Sequence, residues 1–156
     1  MEIIPDILIY GYGNPGRRDD GLGNAFVEKI NSWIRENSIR NISTDSNYQL
    51  NIEDVEEIRH YKEVFFVDAS CDETIRDFSI APLNPHHEEQ IFSHSVSPGY
   101  ILYLCEEMYG YRPSSFLVQI RGYQWEFCEG LSSGAEKNLR QTVFALQELL
   151  KGKIKK

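Results

Sequence analysis

The sequence predicts an α/β protein, with a largely parallel sheet and helices on both of its faces. Three observations carry this. Short apolar runs alternate along the chain with segments whose apolar residues recur at helical spacing. The first run, Ile7-Leu8-Ile9-Tyr10, stops at a glycine-rich turn, Gly11-Tyr12-Gly13-Asn14-Pro15-Gly16, that leads into such a helix. The 156 residues are 41% apolar and 26% charged, which suits one globular domain with a substantial core. We assign 1–150 to that single domain and 151–156 to a basic C-terminal tail.

Asp6 to Tyr10 reads as a buried strand. From Gly21 to Asn37 the apolar positions Leu22, Phe26, Ile30, Trp33 and Ile34 define an amphipathic helix, with Asp19 or Asp20 placed to cap it. Ile42 to Leu50 is a weaker strand, and Glu53 to His60 a short acidic helix. Val64-Phe65-Phe66-Val67 is a second buried strand ending at Asp68. Phe78 to Ala81 is a third, followed by a loop holding Pro82, Pro85, His86 and His87. Ser95 and Ser97 precede Pro98, which suits the first turn of a helix running to Tyr109 and ending at Gly110. Phe116 to Ile120 is a further strand. The last helix starts at Ser132 and carries Ala135, Leu139, Val143, Leu146 and Leu150 on one face, with Ser133 and Glu136 spaced as a capping box. Lys151–Lys156 is expected to fray.

Composition excludes several classes. The formal net charge of -8 argues against a phosphate-backbone binder, so no nucleic-acid partner is expected. No stretch reaches the roughly 18–20 apolar residues that span a bilayer, so no membrane association is expected. Met1–Asp6 lacks the basic flank and cleavage site of a signal peptide. The three cysteines, Cys71, Cys105 and Cys128, are odd in number and show no C-x-x-C spacing, which fits a reducing cytoplasm.

In open α/β sheets ligands bind outside the carboxyl ends of the strands. Asp19 and Asp20 follow the first strand, and Asp68 follows the strand Val64–Val67. Adjacent carboxylates framed by glycines are costly to crowd together unless a cation sits there. Asp20 and Asp68 read equally as two metal ligands or as two helix caps. His94, in Ser93-His94-Ser95-Val96-Ser97-Pro98, is the natural third group, although a lone loop histidine is more commonly a surface residue. Two carboxylates and an imidazole hold Ni²⁺, Zn²⁺ or Fe²⁺ while leaving positions open. His86, His87 and His60 read as solvent-exposed.

Gly11–Gly16 literally matches G-x-G-x-x-G, the dinucleotide fingerprint. Here the helix opens only near Gly21, and Asp19 and Asp20 would repel phosphate at its N-terminus. A serine nucleophile is poorly supported, because no G-x-S-x-G follows a strand directly. Cys128 reads as packing.

Three motifs stand in a fixed order: Gly11-x-Gly13-Asn14 with Asp19-Asp20-Gly21-x-Gly23, then Val67-Asp68-Ala69, then His94-x-x-Ser97-Pro98. In this arrangement the chain resembles the maturation endopeptidases of nickel–iron hydrogenases over nearly its whole length. Gln49-Leu50, Ile120-Arg121-Gly122 and Glu129-Gly130-Leu131-Ser132 are similar to that family too. The resemblance implies a three-layer α/β/α sandwich of the phosphorylase/hydrolase-like type, with a mostly parallel, mixed sheet of about five strands. It implies an endopeptidase, metal-dependent and aspartyl protease-like, that activates an enzyme by removing the C-terminal extension of the hydrogenase large-subunit precursor after nickel insertion. Catalytic and metal-contacting roles carry over to Asp20, Asp68 and His94. The nickel is carried by the precursor, and zinc or cadmium would occupy the site in vitro. The partner is that precursor, and a monomer is expected. Many members have Glu where this chain has Asp20. Cys128 stands where the family's Gly-Glu-Gly-Leu-Ser begins, so an altered local backbone is expected, since Cys tolerates positive φ poorly.

Two other readings compete. One is a metal-dependent chaperone that binds the nickel-bearing precursor without cutting it. The other is a peptidyl-tRNA hydrolase-like esterase, similar in Gly11–Gly16 but lacking a histidine near Arg18-Asp19-Asp20.

Overall fold

The computed structural model describes residues 5–87 and 96–156. Five strands and four helices follow in the order β1 (Ile7–Tyr12), α1 (Leu22–Glu36), β2 (Ile42–Asn47), α2 (Asp54–Ile58), β3 (Glu63–Ser70), β4 (Phe78–Pro82), α3 (Pro98–Tyr109), β5 (Ser114–Arg121) and α4 (Ser133–Leu150). A single 3-10 turn, Arg18–Gly21, precedes α1. The sheet order is β2-β1-β3-β5-β4. The first four strands run parallel, and β4 pairs antiparallel with β5 at one edge.

Side-chain alternation along the strands divides the core. Ile7, Ile9, Phe65 and Val67 face a cluster with Phe26 and Ile30 of α1 and Leu139 and Leu146 of α4. Leu8, Tyr10, Val64 and Phe66 face Val55 and Ile58 of α2 and Ile101 and Leu102 of α3. The sheet is thus covered on both sides, as parallel strands require. From β1 the chain crosses by α1 to β2 over one face. From β2 it crosses by α2 to β3 over the other, passing β1. The direction of winding therefore reverses between β1 and β3, where an open α/β sheet leaves a crevice at its carboxyl edge.

The glycine-rich turn works by close approach rather than by cradling a phosphate. A Cβ on Gly11 would stand 2.2 Å from the Gly23 carbonyl oxygen, and one on Gly23 would stand 2.6 Å from the Val67 carbonyl oxygen. Bare backbone lets the start of α1 lie directly on β1 and β3.

Several local expectations are corrected. Neither Asp19 nor Asp20 caps α1, whose N-cap is Gly21, with no side-chain hydrogen bond. The cap of α4 is Ser132, whose Oγ accepts the Ala135 N–H at 3.2 Å, so Glu136 falls one residue beyond a capping-box position. By contrast, Ser97 caps α3 ahead of Pro98, and Gly110 ends that helix at φ 65°. The basic tail is tied down. Asn41 donates to the Lys153 carbonyl at 2.8 Å and accepts from the Lys155 N–H at 2.8 Å, while Ile154 packs against the α1/α4 core. A sequence reading registers the lysines but not an asparagine more than a hundred residues away.

Asp19 is fully buried instead. Its Oδ2 accepts from the Tyr123 N–H (2.7 Å), the Gln124 N–H (2.9 Å) and the Ser132 hydroxyl (2.7 Å), and its Oδ1 accepts from the Ser132 N–H (2.8 Å). Burial would raise its pKa, but the bonds from Ser132, Tyr123 and Gln124 prevail and hold it below the usual carboxylate range. This knot fastens the loop between β5 and α4 to the turn before α1. Asp19→Ala would remove the acceptor shared by three backbone N–H groups, and we expect it to lower unfolding free energy by about 2–4 kcal/mol, read from urea midpoints at neutral pH.

Candidate functional site

The crevice between the carboxyl ends of β1 and β3 holds two carboxylates. Asp68 lies on β3 one residue beyond Val67, which pairs with Gly11 of β1, so it neighbours Tyr12. Asp20 comes from the 3-10 turn, and its Oδ2 accepts the Asn14 N–H at 2.9 Å. Gly13, at φ 148°, permits this fold-back, because a Cβ there would meet the Asp20 carbonyl oxygen at 2.0 Å. Asn14 completes the turn by accepting the Gly16 N–H at 2.9 Å.

Desolvation sets the electrostatics. Burial, then the charge of Asp20, pushes the Asp68 carboxyl up to about 7. Burial, then the charge of Asp68, raises the Tyr12 hydroxyl well above the usual phenol range. A second acidic group lies on the same sheet face. Burial, then a hydrogen bond shared with Asp45 and the charges of Asp45 and Asp54, pushes Glu57 up to about 7. Tyr10 donates to Asp54 Oδ2 at 3.0 Å.

Of the three residues the sequence singles out, Asp20 and Asp68 share this crevice, and His94 lies outside the described residues. Among the described residues no group of three His, Cys, Asp or Glu side chains is arranged to hold a metal ion. A cation here would meet two carboxylates and need further ligands. His86 and His87 are exposed, as is His60. Cys128 is exposed rather than packed. Cys128 does not adopt a positive φ: among the described residues only Arg18 and Ser38 do so without being glycine.

The sequence gives no sign of how the turn after β1 meets the loop after β5. Arg17 donates from Nε to the Trp125 carbonyl at 3.3 Å and lies over the Phe127 ring at 5.0 Å. Phe127 itself is 85% exposed. These contacts join segments more than a hundred residues apart, beyond the reach of any local pattern.

Similarity to solved structures covers nearly the whole fold. HybD, a hydrogenase maturating endopeptidase from E. coli, superposes with a TM-score of 0.73 over 96% of this chain and 95% of its own, at 16% identity. HycI, a [NiFe] hydrogenase maturation protease from Thermococcus kodakarensis, gives 0.73 over 94% and 92%, at 21% identity. The chain has the fold of hydrogenase maturation proteases. A hydrogenase 2 maturation peptidase from a thaumarchaeon shares it at 18% identity, with a TM-score of 0.65 over 94% of this chain and 98% of that one. No protein-family model and no curated protein matches the sequence. Among the described residues no helix is long and apolar enough to cross a membrane.

The raised carboxyls carry a pH signature. A carboxyl with a folded pKa above its unfolded value stabilises the fold below the unfolded pKa, and that contribution is lost as pH rises through the folded one. Asp68 and Glu57 therefore erode stability between about pH 4 and 7. We expect Asp68→Asn to match the native protein near pH 4 and to exceed it by roughly 1–3 kcal/mol at pH 8, measured by urea unfolding at both values.

Proposed function

We propose that this chain is an endopeptidase that removes the C-terminal extension of a nickel–iron hydrogenase large-subunit precursor, recognising nickel that the precursor already carries. The reading rests above all on one observation: Asp20 and Asp68 share the switch-point crevice of a fold found in hydrogenase maturation proteases. Two like charges in a partly desolvated cleft favour a cation that arrives from outside.

In this reading Asp20 and Asp68, with His94, complete the coordination of the precursor's nickel. The metal anchors the scissile peptide and polarises its carbonyl or the attacking water. A carboxylate released from one metal contact then takes the water's proton. Specificity comes from the ion, so the two aspartates do not form a resident metal site.

Nickel-loaded and nickel-free precursor, incubated with the protein and resolved on a gel, test this. Shortening is expected only with the loaded form and is abolished by Asp68→Asn, whose fold persists by circular dichroism. Equal cleavage of both forms removes the nickel dependence. Stable co-purification without shortening favours the non-cutting chaperone.

A further inference from the structure

Hydrolysis of a peptide bond builds negative charge on the carbonyl oxygen, and a preorganised donor aimed at that oxygen accelerates the step. Among the described residues, Tyr12 offers the crevice a hydroxyl. Tyr10 and Tyr12 alternate out of β1 toward the α2/α3 side of the sheet, the side to which β3 sends Phe66 and, two residues on, Asp68. The Tyr10 hydroxyl is committed to Asp54. Among the described residues the Tyr12 hydroxyl has no hydrogen-bond partner, and the residue is only partly buried. Its ring is fixed, packing on the α2/α3 core and lying 6.3 Å from the Tyr10 ring at 57°. The Asn14 N–H, a further donor at this rim, is already used by Asp20.

We propose that the Tyr12 hydroxyl donates a hydrogen bond to the oxyanion formed at the scissile carbonyl, which makes it a catalytic residue. The inference rests on the endopeptidase reading and extends it to the oxygen of the reacting bond. Water forms the new C–O bond, its proton passes to a crevice carboxylate, and the carbonyl π pair moves onto oxygen, where Tyr12 meets it. Collapse of the tetrahedral species returns that pair, breaks the C–N bond and delivers the proton to the leaving amine. Tyr12 keeps its own proton throughout. Tyr12 neighbours Asp68 across the β1/β3 pairing, so on this proposal it meets the oxygen of the same bond that the crevice carboxylates serve.

The test compares native protein, Tyr12→Phe and Tyr10→Phe on nickel-loaded precursor, reading kcat and KM by gel and thermal midpoints by calorimetry. We expect Tyr12→Phe to lower kcat about 100-fold with KM and midpoint unchanged, and Tyr10→Phe to retain native kcat. Tyr12→Phe cutting at the native rate overturns the role of Tyr12 and leaves the peptidase reading standing. An equal fall in kcat for both variants overturns it as well, since that marks a general effect of the tyrosine pair. Failure of the native protein to cut loaded precursor overturns both readings.

Discussion

The site depends on a buried carboxylate that has no place in its chemistry. Asp19 gathers four hydrogen bonds from Tyr123, Gln124 and Ser132, and so locks the loop after β5 against the turn after β1. A buried anion is tolerable only when its oxygens are satisfied in this way. Because Asp20 is the next residue, the direction of its carboxylate follows from where Asp19 is held. Two adjacent aspartates thus divide the work: one is spent on folding, and the other stays at the open crevice.

Asp68 shows the opposite economy. It receives no comparable set of donors, and burial together with Asp20 pushes it toward neutrality. A fold optimised for stability alone would solvate or pair such a group. Keeping it poorly solvated in a crevice is a local destabilisation of the kind that accompanies binding and catalysis. The glycines at 11 and 23 add to the constraint, since they bring α1 so near β1 and β3 that there is little room for the turn to relax.

Much of this was legible in the sequence, and the rest was not, for definable reasons. Apolar runs and helical spacing gave β1, β3, β5, α1 and α4, and the Pro98 start and Gly110 stop gave α3. The pattern missed the early end of β2, where the strand stops at Asn47 and buried Leu50 belongs to the approach to α2. Asp20 and Asp68 stood out because acidic residues at strand ends imply a site in this architecture. Asp19 was misread as a cap, since its partners lie 104–113 positions away. Tyr12 drew no reading of its own inside the glycine motif, and only the pairing of Gly11 with Val67 reveals it as a neighbour of Asp68.

The same geometry bears on why the ion would come with the substrate. A resident divalent site pairs its ligands tightly enough to offset their mutual repulsion. Here the described residues supply two carboxylates and no third ligand, and Asp68 relieves the repulsion by holding a proton up to about pH 7. On the endopeptidase reading such a pair binds a free ion weakly, because the ion must first displace that proton. On the same reading, an ion that arrives already coordinated brings its own ligands along and needs only Asp20, Asp68 and His94 to complete its shell. On the endopeptidase reading, weakness toward free metal is therefore what allows the protein to tell a loaded precursor from an empty one.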